Sequence, residues 1–245
     1  MAIDSVVIGF GFRARSGKDT AVAEIIKQRG LVNGSSGYDI RKWAPAELQD
    51  AQKERYDIRK YSFATALRAE VDGALKRAGG AFSLLVANRP THFVQANENL
   101  IELPDWVVLD ENPEFNAQYP LGKQRTLLQW WGTEYRRSID DAYWVRQLAQ
   151  QIELEKPQIA LISDMRFPNE MAFVRQYGET VRVDRAGLPP STHASETALA
   201  DTSDEDWSII LENNGTLEEF LEGSVTAFDE LMIGFPFGCN KASAL

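Results

Sequence analysis

The sequence is poor in the side chains that most metal and nucleophilic sites require. Its 245 residues include one cysteine, Cys239, and two histidines. A single cysteine excludes an intrachain disulfide, and this small set disfavours a Cys/His zinc site. No apolar run is long enough to span a bilayer, and the first residues lack the basic cluster of a signal peptide. We therefore expect a protein of the cytoplasm, or of the host cytoplasm if the source is viral.

Positive charge is also in deficit. Lys and Arg number 26 against 36 Asp and Glu, so the formal net charge is −10. An acidic surface repels phosphate backbones, which disfavours a sequence-independent binder of nucleic-acid polymers. Small anions would have to be bound by local clusters of Arg and Lys. The hydrophobic fraction of 44% is that of an ordinary soluble globular protein.

What is present is an alternation of apolar strands and amphipathic helices. The segments 3–10 and 158–163 are β-branched apolar runs typical of buried strands, and helical spacing follows the first of them at 19–29. This order predicts a mostly parallel sheet with right-handed crossovers, hence an α/β fold. We predict a single domain over residues 1–245, with a polar, glycine-containing insertion at about 31–56.

The segment GFRARSGKDT at 11–20 lies between the first strand and the first helix, where a phosphate-binding P-loop belongs. Backbone N–H groups at a helix N-terminus can cradle phosphates while Lys18 bridges the β- and γ-phosphates. The Walker spacing puts its first glycine at the position of Phe12, and Asp19 follows the lysine instead of Ser or Thr. The alternative is a surface Ser-Gly turn that opens a helix. The predicted ATP contacts are Arg15, Ser16, Gly17, Lys18, Asp19 and Thr20.

The strand at 158–163 is followed by Asp164, the pattern of a Walker B carboxylate. A carboxylate at this edge of a parallel sheet would hold Mg²⁺ beside a phosphate loop. We predict Asp19 and Asp164 as the metal-binding carboxylates. The alternative is that Asp164 only forms a turn.

A series of further motifs occurs in a fixed order. They are SGKDT at 16–20, Phe63-Ala64 with Leu67-Arg68, RTLLQWWGTEYRR at 125–137, Trp144-Val145, SDMRFPNE at 163–170, VDRAG at 183–187, HASE at 193–196 and NNGTLEEF at 213–220. The series resembles the deoxynucleoside monophosphate kinases of bacteriophages and their bacterial relatives, over about 1–30 and 57–225. The resemblance implies a three-layer fold of the P-loop NTPase type, similar to nucleoside monophosphate kinases. It also implies transfer of the γ-phosphoryl of ATP to a deoxynucleoside 5′-monophosphate (dNMP), with Mg²⁺ as cofactor.

The resemblance assigns roles to individual residues. Lys18, Arg166 and Asp164 would be catalytic, Arg185 would stabilise the transferring phosphoryl, and Asn213 and Gly215 would contact ATP. The acceptor region would span about 64–137. The residues expected to bind the dNMP are Arg68, Arg125, Trp131, Gly132, Thr133, Arg136, Trp144 and Glu196. Competing interpretations are a solvated helix-face charge for each arginine and a core position for Trp131.

Two other functions compete with this one. A kinase resembling dephospho-coenzyme A kinase would share the loop and the late Asn-Gly turn, although the GTE-x-RR stretch at 132–137 favours the nucleotide kinase. A non-catalytic nucleotide-binding module would fit the departure at Phe12. The expected partners are small molecules, with neither a nucleic-acid polymer nor a membrane. Kinases of this type are often homodimers, and the sequence reveals neither the oligomeric state nor the base preference.

Overall fold

A computed structural model describes residues 3–31, 56–77, 82–86, 89–96, 99–107, 125–189 and 192–235. Apart from its end residues, the predicted insertion at 31–56 lies outside the described residues. The chain divides into two compact units, residues 1–61 with 150–245 and residues 62–149. The predicted acceptor region, 64–137, falls within the second unit, and the single-domain organisation stays a prediction.

Strands and helices alternate along the first unit, as the sequence periodicity indicates. The strands are β1 (Val6–Gly11), β2 (Ile58–Tyr61), β3 (Phe82–Val86), β4 (Arg89–Ala96), β5 (Asn99–Glu102), β6 (Ile159–Met165), β7 (Gly178–Asp184) and β8 (Ile209–Glu212). The helices are α1 (Lys18–Arg29), α2 (Phe63–Arg77), α3 (Arg125–Gln129), α4 (Tyr143–Glu155), α5 (Pro168–Tyr177), α6 (Ala194–Thr197) and α7 (Leu217–Met232). A π-helical segment, Trp130–Arg137, continues α3, and a 3₁₀ turn, Asp204–Asp206, precedes β8. No helix within these ranges is both long and apolar enough to cross a membrane.

The first unit is built on a five-stranded sheet with the order β2-β6-β1-β7-β8. Every neighbouring pair in it is parallel. In a parallel sheet all strands end at one edge, so the segments after β1, β6 and β7 emerge on the same side. The predicted α/β fold of the P-loop NTPase type is confirmed.

Strand β1 sends its side chains alternately to two layers of helices. Ile8 and Phe10 belong to the hydrophobic cluster that includes residues of α1 and α7. The opposite face of the strand packs on α5. At Gly9, on this face, an added Cβ would lie 2.7 Å from a methyl group of Val174. Because both faces are covered, the strand from Val7 onward is buried. This explains why the segment is a continuous apolar run and not an alternating one.

The second unit contains a structure that the sequence did not indicate. Its strands form an antiparallel sheet with the order β3-β4-β5, in a stretch where prolines obscured any period. Pro90 pairs opposite Leu85 within this sheet. The motif at 125–137 is helical and changes from α to π geometry after Gln129.

The two ends of the predicted insertion lie side by side. Gly30 and Tyr56 form a parallel β-bridge, in which the N–H of Leu31 donates to the Tyr56 carbonyl and the N–H of Tyr56 to the Arg29 carbonyl, each at 2.9 Å. The Tyr56 ring meets the edge of Phe228 in the core, with ring centroids 6.3 Å apart. The described segments on either side of residues 32–55 are thus joined by hydrogen bonds at one point.

Because these ends are already hydrogen-bonded, residues 32–55 should be replaceable by a short glycine-serine linker. Shortening a loop between adjacent ends changes the closure entropy by only about 1 kcal/mol. We expect cooperative thermal unfolding with a midpoint within about 5 °C of the parent protein, measured by circular dichroism. Loss of solubility or of the cooperative transition would show instead that the segment is needed as an interface, with Trp43 its expected anchor. Gel filtration of the same pair tests the homodimer, which stays a prediction.

Candidate active site

The loop between β1 and α1 turns tightly through residues with left-handed backbone. The φ angles are 88° at Phe12, 62° at Arg15 and 113° at Gly17. Gly17 is required for two reasons. Its left-handed backbone is one that glycine adopts without strain, and an added Cβ would lie 2.5 Å from Nδ2 of Asn213. At Phe12, where the Walker pattern has its first glycine, a phenylalanine adopts the backbone conformation that glycine adopts without cost.

Lys18 lies at the centre of this loop. Its side chain is buried, and Nζ donates to the carbonyl oxygens of Phe12, at 3.4 Å, and Arg13, and to Oγ of Ser16, at 3.2 Å. Burial, and secondarily the charge of Arg166, lowers the pKa of Lys18 from 10.5 to about 8, although nearby carboxylates partly counteract this. At neutral pH the amine therefore stays protonated.

Three of the predicted site residues contact the loop backbone. Asn213 donates from Nδ2 to the Ser16 carbonyl at 2.7 Å, and Arg185 donates to the Arg15 carbonyl at 3.5 Å. Glu196 accepts from the Ala14 N–H at 2.9 Å. The predicted contact of Asn213 with ATP stays a prediction, and its side-chain amide here donates to the loop. Gly215 is exposed in the turn before α7.

Glu196 also brings Arg166 to the loop. Its second carboxylate oxygen accepts from Nη1 of Arg166 at 2.5 Å, and only 4% of the Glu196 side chain is exposed. The backbone N–H of Arg166 donates to Glu170, the first-turn acid of α5, at 2.6 Å. The guanidinium that follows β6 therefore lies beside Lys18, which is why its charge lowers the lysine pKa.

Asp19, the residue after the loop lysine, accepts two hydrogen bonds. Lys60 of β2 donates to its Oδ1 at 2.5 Å, and Ser163 of β6 donates to the same atom at 2.8 Å. Burial raises the pKa of Asp19, but these donors outweigh it and hold the pKa below its usual value. The carboxylate is therefore charged throughout the physiological range.

The two predicted metal ligands have the chemistry of a magnesium site. Asp19 and Asp164 offer hard oxygen donors, and both act electrostatically on Lys18. Among the residues that the structure describes, no group of three or more His, Cys, Asp or Glu could enclose a metal. Mg²⁺ is commonly held by one or two carboxylates, with water and substrate phosphates completing its shell. The residues present therefore fit an ion that binds together with a nucleotide.

In the second unit two of the predicted acceptor residues, Trp131 and Arg136, contact a carboxylate that the sequence did not single out, Glu70 of α2. Oε1 of Glu70 accepts from Nε1 of Trp131 at 2.8 Å and from Nε of Arg136 at 2.5 Å. Its Oε2 accepts from the hydroxyl of Tyr143 at 2.8 Å. Arg136 is further held against the Tyr143 ring, with Cζ 4.9 Å from the centroid. Glu70 thus fixes the direction of Arg136.

The remaining acceptor candidates divide by burial. Trp131 is only 1% exposed, so it packs as a core residue here, and its stacking on a base stays a prediction. Trp144 is buried and donates to the Gly132 carbonyl at 2.9 Å, while Thr133 is half-buried. Arg68 on α2 and Arg125 at the start of α3 are exposed, as cations that meet a dissolved substrate would be.

The left-handed backbone at Phe12 predicts an unusual order of stability. Phe12→Ala and Phe12→Gly lose the same ring, but alanine keeps a left-handed penalty of about 1 kcal/mol that glycine avoids. We expect the glycine variant to have the higher free energy of unfolding in urea titrations. Arg13→Ala and Arg13→Gly are the matched control. Arg13 has no left-handed backbone, so its alanine variant should have the higher free energy of unfolding. If the alanine variant were the more stable one at both positions, the left-handed backbone at Phe12 would be contradicted.

The low pKa of Lys18 predicts a stability difference that grows with pH. The pKa of Lys18 is about 8 in the folded state and 10.5 in the unfolded state. At pH values between these two, the unfolded chain holds a proton that the folded chain lacks. The advantage of wild type over Lys18→Ala should therefore rise by about 2 kcal/mol from about pH 7.5 to about pH 9.5. Urea unfolding at both pH values measures it. Lys27→Ala, on the exposed side of the same helix, is the control. Equal pH trends for the two variants would contradict the burial of the amine.

The comparisons with known proteins support the function expected from the motifs. Residues 115–223 match the family model "Deoxynucleotide monophosphate kinase". A putative deoxynucleotide monophosphate kinase of Acanthamoeba polyphaga mimivirus is 30% identical over 119 residues, which are 43% of this chain and 61% of that protein. The family match includes Arg125, Arg166 and Glu196 and begins well after the loop at 11–20, whose role in phosphate binding stays a prediction. Over this segment the chain resembles the deoxynucleotide monophosphate kinases.

Proposed function

We propose that this protein transfers the γ-phosphoryl group of ATP to a deoxynucleoside 5′-monophosphate, giving ADP and a deoxynucleoside diphosphate. The observation that carries the proposal is the buried, protonated Lys18 at the centre of a strand–loop–helix phosphate loop, with Arg166 beside it. The similarity to deoxynucleotide monophosphate kinases supplies the class of acceptor. The fold alone would not, because P-loop folds serve many substrates.

Transfer of a phosphoryl group between two nucleotides requires stabilisation of negative charge and positioning of the two substrates. The second pKa of a phosphate monoester is about 6, so the acceptor is mostly dianionic at neutral pH and needs no strong base. One of its oxygens bonds to the γ-phosphorus while the bond to the β,γ-bridging oxygen breaks. Negative charge then spreads over the transferring group and the leaving ADP. Lys18, Arg166 and the exposed Arg185 are the cations proposed to stabilise it.

The phosphate loop would bind the donor through its backbone. Helix α1 begins directly after Gly17, so its first N–H groups and the loop N–H groups from Arg15 to Thr20 form an anion-binding helix terminus. Asn213 would act by holding the Ser16 carbonyl, and with it the loop. Mg²⁺, when bound through Asp19 and Asp164, supplies positive charge to the phosphate oxygens.

We assign acceptor binding to the second unit. Arg68 and Arg125 would grip the acceptor phosphate, since a guanidinium matches two phosphate oxygens at once. Arg136, oriented by Glu70, would be a third cation. Gly132, Thr133 and Trp144 would shape the pocket wall. Glu196 would serve indirectly, by orienting Arg166.

A coupled assay of ADP release tests the function. The wild-type protein is offered each of the common dNMPs, with dephospho-coenzyme A as the alternative acceptor. We expect turnover with at least one dNMP, and a loss of about 10²–10³ in kcat/KM for Lys18→Ala, with Lys27→Ala unchanged. Bound ATP without turnover of any acceptor would favour the non-catalytic module. Turnover of dephospho-coenzyme A alone would favour the other kinase.

The division of the site predicts a split in Michaelis constants. Arg68→Ala and Arg125→Ala should each raise KM for the dNMP by about tenfold and leave KM for ATP nearly unchanged, because ground-state binding of the acceptor phosphate is lost. Steady-state kinetics with either substrate varied measures this. Arg146→Ala, an exposed arginine of α4 that pairs with Asp140, is the control. A rise confined to ATP would reverse the assignment of the two substrates.

A further inference from the structure

The half-buried ring of Phe12 contacts its neighbour Arg13, with Cζ 5.5 Å from the ring centroid, and two further residues that the function proposed above does not use. Arg182 of β7 lies over the ring face, with Cζ 4.5 Å from the ring centroid. Trp207, just before β8, meets the ring edge-on, with centroids 6.4 Å apart and planes at 82°. Together these two side chains form what we call the Phe12 clamp.

Arg182 is itself fixed in place. It makes a bidentate pair with Asp184, from Nε to Oδ1 at 2.9 Å and from Nη2 to Oδ2 at 2.8 Å, and Nη1 donates to Asp204 at 2.7 Å. Carboxylates thus occupy the edges of the planar guanidinium, and one face remains for the ring, as a cation–π contact requires. Only 17% of the Arg182 side chain is exposed.

Trp207 forms the second, rigid side of the clamp. The side chain is buried, and its Nε1 donates to Oγ1 of Thr202 at 3.1 Å. Its six-membered ring packs so closely on Gly11 that an added Cβ there would lie 2.7 Å from Cη2. The tryptophan therefore contacts both residues that lead from β1 into the loop.

The position of the clamp matters because Phe12 has an unfavourable backbone. A bulky residue at φ 88° persists only where its surroundings hold it. The carbonyl oxygen of this residue is one of those that Lys18 contacts, at 3.4 Å. A change in the Phe12 backbone would therefore move a group that positions the lysine.

We propose that Arg182 and Trp207 are positioning residues of the phosphate loop. They hold Phe12 in the conformation that the first Walker glycine would adopt, and so preorganise the Phe12 carbonyl and Lys18 for a nucleoside triphosphate. Contacts with these two side chains thus stabilise a backbone conformation that a glycine would adopt without them. The consequence for ATP binding rests on the proposed function, whereas the link between Arg182 and Phe12 does not.

A double-mutant cycle tests the clamp. Arg182→Gln is made in the wild-type protein and in the Phe12→Gly background, and dissociation constants for ATP with Mg²⁺ are measured by calorimetry. We expect Arg182→Gln to weaken ATP binding by about threefold to tenfold when Phe12 is present and to have no effect in the Phe12→Gly background. Arg175→Gln is the control, because Arg175 pairs with Asp206 of the same 3₁₀ turn and should leave ATP affinity unchanged.

The same four proteins are unfolded in urea without nucleotide. We expect non-additive shifts of the midpoint, since a contact between two side chains is lost only once. Additive shifts, equal weakening of ATP binding in both backgrounds, or an equal effect of Arg175→Gln would each overturn the clamp. A wild-type protein that fails to bind ATP would overturn the proposed function, and the nucleotide-free cycle would still decide on the clamp.

Discussion

A buried ammonium group requires oxygen atoms around it, and Lys18 obtains them from the loop that precedes it. Without the carbonyls of Phe12 and Arg13 the charged amine would be too costly to keep beneath the surface. The loop can offer those carbonyls because left-handed residues turn it back over the lysine. The parallel pairing of β1 with β6 and β7 then brings the flanking acids and arginines to the same edge of the sheet.

Charges of both signs alternate around this lysine, an arrangement that would allow an acidic protein to bind the phosphate groups proposed above. Glu196 joins the loop N–H of Ala14 to Arg166, and Asp19 joins Lys60 to Ser163. The carboxylates balance the cations while no phosphate is bound, and keep their side chains in fixed directions. A triphosphate would enter a site whose positive groups are already oriented, so that little of its binding energy goes into ordering them.

The parts that local sequence controls were predictable, and those that depend on distant contacts were not. The strand–loop–helix at 6–29 follows from apolar runs and the position of Lys18, and the parallel sheet follows from the alternation of elements. Glu70 gave no signal because its partners, Trp131, Arg136 and Tyr143, lie far along the chain. Arg182 gave none because its contact with Phe12 joins two distant segments, and a basic residue next to an acid on a surface has the same sequence pattern.

The π-helical segment, Trp130–Arg137, determines which side chains share a face of the helix. A π-helical turn holds more residues than an α-helical one, and its hydrogen bonds join residues five apart. Trp131 and Arg136 have this spacing, and both donate to Glu70. In α geometry five residues correspond to about 140° of rotation beyond a full turn, so one of the two donors would turn away from the carboxylate. Relatives in which this segment is α-helical should therefore keep the two donors with one residue fewer between them.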